Sequence, residues 1–109
     1  MDELDDPGGP VGAAVVTFDA AGVPVIKLSG EIDMSNVDAL RGVIEPVIES
    51  APARVDFDLA ALEFMDSSGI ALLLRVAATA QTVHVREPSA LVRRLIEATG
   101  LSDVLPIDP

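Results

Sequence analysis

The sequence predicts an α/β domain: a mixed sheet of four to five strands carrying three main helices, in the order β-β-α-β-α-β-α. Three observations lead there. Segments rich in β-branched residues or alternating with period two take turns with segments whose apolar residues recur at three-and-four spacing. The first two strands have no helix between them and read as a hairpin, whereas the later strands are separated by helices and so run parallel through crossovers. At 109 residues the chain can close one core of modest size but not two.

Met1 to Gly12 contains Asp2, Glu3, Asp5 and Asp6, then Pro7, Gly8, Gly9 and Pro10. Such a composition cannot bury apolar surface, so a disordered leader is expected at 1–12 and the folded domain at 13–109. Ala13 to Asp19 is a strand, and Ala20, Ala21 and Gly22 turn into a second strand over Val23 to Leu28. Pro24 puts the start of that strand at an edge or an entry position. Ser29 and Gly30 end it. Glu31, Ile32 and Asp33 then lead to Ser35, which with Asp38 three residues on has the form of a capping box and opens the first helix.

Val37, Leu40, Val43, Ile44, Val47 and Ile48 mark one helical face, to about Glu49, with Pro46 predicting a kink or an early stop. Arg54 to Leu59 alternates as a strand with one buried face, Asp56 and Asp58 sharing the other. Ala60 to Phe64 reads as a connection. The second helix, opened by Asp66 and Ser67, runs to about Ala80; Ile70, Leu73, Leu74 and Ala77 form one face, with Leu72 and Val76 flanking it. Thr82 to Val85 is a short strand. Pro88 and Ser89 start the last helix, with Leu91, Val92, Leu95 and Ile96 inward and Gly100 as its C-terminal cap. Val104, Leu105 and Ile107 add a short strand or a packed tail.

Composition excludes several functions. Eighteen acids against seven bases give a formal net charge of −11, which opposes nucleic acid and anionic membrane surfaces. With no Trp or Tyr there is nothing on which to stack a base. The absence of cysteine removes disulfides, thiol catalysis and thiolate metal sites. No stretch reaches the length of a membrane span and the N-terminus is acidic, so a soluble cytoplasmic protein without membrane insertion is expected.

The chemistry concentrates in Phe64 to Leu74, where Asp66, Ser67, Ser68 and Gly69 run directly into an apolar segment. Asp and Ser before such a segment are helix-start residues, because their oxygens accept from N–H groups that lack intrahelical partners. That helix end also carries a partial positive charge and can accommodate a phosphate. Ser67 is therefore a cap or a switch, and residue types alone favour the cap. Catalysis by Ser67 or Ser68 needs a base, and the single histidine, His84, lies in a strand with nothing to orient it. Glu31 and Asp33 lack the oxygen set of a calcium loop and read as a polar strand-to-helix loop. No metal or other cofactor is expected, and there is no glycine-rich phosphate loop.

Leu28 to Arg41 (LSGEIDMSNVDALR), Asp58 to Leu74 (DLAALEFMDSSGIALLL) and Glu87 to Leu101 (EPSALVRRLIEATGL) together resemble the STAS domain of bacterial anti-sigma factor antagonists. The resemblance rests on the G-E-I-D turn, the F-M-D-S-S-G helix start and the late T-G-L, in that order. It implies a STAS-like fold and a phosphoacceptor rather than an enzyme. The first serine of D-S-S-G, Ser67 here, would be phosphorylated by an anti-sigma factor that is itself an ATP-dependent serine kinase, and a serine phosphatase would reverse the mark. Glu31, Asp33, Asp66, Ser68, Gly69 and Leu72 would line the partner surface with it. Asp56 stands where the family carries an apolar residue, implying a more exposed or differently covered sheet face. A related branch serves as a small cytosolic subunit of lipid-trafficking ABC transporters, to which the I-A-L-L run leans.

Overall fold

The computed structural model describes residues 12–107, so the expected leader lies outside the described residues except for Gly12. The elements are β1 (Ala13–Phe18), β2 (Pro24–Ile32), α1 (Val37–Ser50), β3 (Arg54–Met65), α2 (Ser67–Thr79), β4 (Thr82–Arg86) and α3 (Ala90–Ala98). They form one four-stranded sheet in the order β1-β2-β3-β4, antiparallel between β1 and β2 and parallel thereafter. This is the predicted order and the predicted mixed sheet. Ile107 adds a single parallel bridge to Val85 beside the buried Leu105, so the tail packs rather than forming a fifth strand.

The β1–β2 turn closes on Asp19, whose carboxylate accepts from the N–H groups of Ala21 and Val23 at 2.8 and 3.0 Å. Gly22 takes φ +82° there, a conformation for which glycine is the default. Pro24 is the entry residue of β2, but β2 is a central strand and not an edge.

Pair register sorts the strand residues into two faces. Ile26, Phe57 and Val85 lie side by side on one face and are fully buried with Leu28, Val55 and Leu59. They join the buried residues of all three helices in a single core, and each such side chain stabilises the fold by about 1.5–3 kcal/mol. The opposite face carries Thr17, Val25, Asp56 and His84 in one row and Val15, Lys27, Asp58 and Arg86 in the next.

Several expectations are corrected. β2 runs on through Ser29 and Gly30 to Ile32, and β3 through the expected connection Ala60–Phe64 to Met65, because the two strands pair along this stretch. β3 takes two extra residues there, and the carboxylate of Asp58 accepts from the N–H of Ala60 at 3.1 Å at the first irregularity. Asp56 shares the face of Asp58 as expected, and of the two alternatives for that face the differently covered one holds: Asp56 is 1% exposed, clamped by Arg54 at 2.8 Å and by Arg86 at 2.6 Å. Burial alone would raise its pKa, but the two guanidiniums outweigh it and hold the carboxyl below the ordinary value.

α1 does not stop at Pro46, which lies on its exposed side, where the freed Gly42 carbonyl can meet water. Val43 and Leu91 are 45% and 49% exposed rather than inward, so the buried stripes are narrower than the periodicity suggested. Ser89 caps α3 through Val92 N–H at 3.2 Å, and Gly100 (φ +74°) ends it with Leu101 N–H bonded to the Ile96 carbonyl at 3.1 Å.

Candidate functional site

The candidate site lies at the carboxyl ends of β2 and β3, where Ile32 pairs with Met65. Open α/β sheets present their binding surfaces at this end, where the N-termini of the following helices open to solvent. An Asp-x-Ser turn leaves each strand: Asp33, Met34, Ser35 after β2 and Asp66, Ser67, Ser68 after β3. In both, the carboxylate accepts from the N–H and the hydroxyl of the serine two residues on.

After that the turns diverge. Asp66 is the N-cap of α2, accepting from Ser68 N–H at 2.8 Å in an extended conformation. Its own N–H bonds the Ile32 carbonyl at 3.1 Å. Its carbonyl accepts from the N–H of Gly69 at 3.1 Å, so Asp66 ties the start of α2 to the end of β2. Hydrogen bonding, that from the Ser68 hydroxyl first, holds its carboxyl below the ordinary 3.8, against a smaller opposing effect of burial.

The turn after β2 caps nothing. Ser35 does not open a capping box, because Asp33 takes its hydroxyl; α1 starts at Val37 behind Asn36, which makes no side-chain cap bond. Asn36 instead ties the loop, accepting from Asp33 N–H at 3.0 Å and donating to the Glu31 carbonyl at 2.8 Å. Met34 is left 80% exposed beside the helix start.

Ser67 is the first residue of α2 and is exposed. Among the described residues its hydroxyl has no hydrogen-bond partner, since Asp66 does the capping. His84 cannot serve it as a base. His84 pairs with Asp56, nine residues before Met65 in β3, which is roughly 25–30 Å of strand.

A family model described as "Mlab, STAS domain" matches residues 16–106. The chain belongs to the STAS domain family. Among curated proteins, this STAS domain is 35% identical over 98 residues to the anti-sigma-F factor antagonist RsfB of Mycobacterium tuberculosis, covering 84% of this chain and 78% of that protein. It is 28% identical over 87 residues to an anti-sigma-B factor antagonist of Staphylococcus epidermidis, covering 76% and 81%. A crystal structure of an anti-sigma factor antagonist from Mycobacterium paratuberculosis superposes with a TM-score of 0.81 and 32% identity over 97% of this chain and 91% of that one. The antagonist SpoIIAA in its unphosphorylated form gives 0.70 with 28% identity over 89% of each chain. These relatives are regulators, not catalysts.

The STAS fold brings Asp33, Asp66, Ser67 and Ser68 together at the strand ends, with Glu31 exposed next to them and paired with Phe64. Gly69 and Leu72, expected on the surface, are buried. Leu72 is 3% exposed and holds α2 in the core with Leu73 and Val76, so these flanking positions form the inner face. A Cβ on Gly69 would stand 2.8 Å from Met65 Cβ and 3.2 Å from Ile32 Cγ2, so glycine here lets the helix start close on the paired strand ends.

Sequence reasoning missed Met34 and Asn36, although the repeated Asp-x-Ser pattern was visible. It also missed a groove between α1 and α2 lined by Arg41, Arg75, Ser68, Ala71, Val37 and Leu72. Among the described residues no helix is long and apolar enough to cross a membrane.

Proposed function

We propose that this STAS domain is a cytoplasmic anti-sigma factor antagonist that works by phosphorylation-controlled partner switching. The unmodified surface around Ser67 binds an anti-sigma factor with serine kinase activity and so releases a sigma factor. The kinase transfers phosphate to Ser67, the complex separates, and a serine phosphatase resets the protein. The observation that carries this reading is the exposed Ser67 hydroxyl at the first position of α2, without a partner among the described residues, with capping left to Asp66. The antagonist relatives support it, and one related structure is of SpoIIAA in the phosphorylated form, with a TM-score of 0.65 and 27% identity.

A phosphate at Ser67 adds about −1.5 to −2 charges and three acceptor oxygens. The N-terminus of α2 favours such an anion, so the domain tolerates it. The cost falls on the complex, where phosphate must be desolvated next to Asp66, Asp33 and Glu31. The test is binding to the anti-sigma factor kinases encoded in the same genome. Ser67→Ala should stay bound in the presence of ATP and Ser67→Asp should bind weakly; equal binding by the two would overturn the reading.

A second reading has one observation behind it, the I-A-L-L run from Ile70 to Leu73, which leans toward the transporter branch that the sequence also resembles. As a small STAS subunit of a lipid-trafficking ABC transporter, the protein would co-purify with an ATP-binding subunit irrespective of Ser67.

A further inference from the structure

We infer that the groove between α1 and α2 anchors a carboxylate side chain of the kinase partner. This rests on the antagonist reading and names the chemistry that the surface beside Ser67 recognises. The chain has a net charge of −11 and only seven Lys and Arg residues, yet two of them, Arg41 and Arg75, line one groove of about 350 Å³. Ser68, the neighbour of Ser67, lies on its wall, so the groove opens on the same surface.

Each arginine is engaged by one acid of its surroundings, and only loosely. Arg41 meets Asp38 at 3.1 Å and Arg75 meets Glu45 at 3.2 Å, each through one nitrogen, with the two arginine side chains 46% and 53% exposed. Ion pairs at such exposure hold weakly, and each guanidinium keeps further donors in the fork that suits a carboxylate. Val37 and Leu72 supply apolar lining and Ala71 is small, which lets a short acidic side chain enter and exclude water. The rest of the chain's charge opposes nucleic acid as the occupant.

The groove also explains why the switch sits at Ser67. Arg75 follows Ser67 by eight residues, about 12 Å along α2, and helical side chains lean toward the N-terminus. A phosphate on Ser67 therefore adds negative charge about 12 Å along α2 from Arg75, near the Debye length of roughly 10 Å, and weakens the positive potential that draws the partner's acid.

The test titrates unphosphorylated wild type, R41A/R75A and R41K/R75K into the anti-sigma factor kinases of the same genome, at low and high ionic strength. R41A/R75A should bind at least about tenfold more weakly at low salt and lose most of the salt dependence, because it lacks two charge-assisted bonds. R41K/R75K, which keeps the charge without the fork, should recover the salt dependence and part of the affinity. Arg41→Ala, which keeps the Arg75–Glu45 link between the helices, should show the same trend if the double variant melts early. A folded R41A/R75A that binds like wild type at both salts overturns the groove while leaving the Ser67 switch standing. Wild type that binds none of the kinases overturns the antagonist reading and the groove's occupant with it.

Discussion

The two Asp-x-Ser turns start from the same chemistry and finish with different tasks. Both follow strands that end side by side, and in both a carboxylate gathers the N–H and the hydroxyl of the serine two residues on. After β3 the aspartate is also the helix cap, and the residue between is a serine with nothing to hold. After β2 the helix starts three residues later, Asn36 braces the loop, and the residue between is the exposed Met34. A capping residue placed one position before a serine leaves that serine free. Ser67 is thus left out of the capping by what Asp66 already does.

Perturbing the helix start should have its largest effect at Gly69. Gly69→Val puts branched carbon where even a Cβ meets Met65 at 2.8 Å, and it should lower the melting temperature by about 10–20 °C. Asp66→Ala comes next, at about 4–8 °C, since it removes a cap and leaves both the N–H and the hydroxyl of Ser68 without their acceptor. Asp33→Ala, which loosens a loop and uncaps no helix, should cost about 2–4 °C. Equal effects at Asp33 and Asp66 would dissolve the contrast between the turns.

Acid should sharpen it. The carboxyls of Asp66 and Asp56 are both held below the ordinary 3.8 in the folded protein. Each therefore contributes stability that is present above about pH 4 and lost as pH falls below 3.8 through the folded value. Thermal melts from pH 6 to pH 2.5 should lose stability in that window, with a shallower fall in Asp66→Asn than in wild type. The smallest effect belongs to Ser67: Ser67→Ala should melt within about 2 °C of wild type, as expected of an exposed hydroxyl without a partner among the described residues.

The element order was legible because Ile44, Val47 and Ile48 on α1 and Val55, Phe57 and Leu59 on β3 keep the periods of helix and strand. The end of β3 was not. Its two extra residues move the core positions from Leu59 to Leu62 to Met65, a spacing of three that hides a strand from a period-two reading. The burial of Asp56, rather than its face, was what the sequence hid. Alternation puts it with Asp58 on the polar face, but the arginine that completes its cover, Arg86, lies on β4 and is brought there only by register. At the site, the motif singled out Ser67, whereas the absence of a partner for its hydroxyl among the described residues was not legible. Asp66 and Ser67 are both good capping residues, and the backbone conformation decided which one serves.

The most direct measurement of the central claim incubates the protein with its anti-sigma factor kinase and ATP, maps the phosphate by mass spectrometry, and follows both kinase affinity and melting temperature. The expected result is one phosphate, on Ser67, with affinity at least about tenfold lower and a melting temperature within about 2 °C of the unmodified protein. A phosphate on another residue, or one on Ser67 that unfolds the domain or leaves binding unchanged, would contradict it.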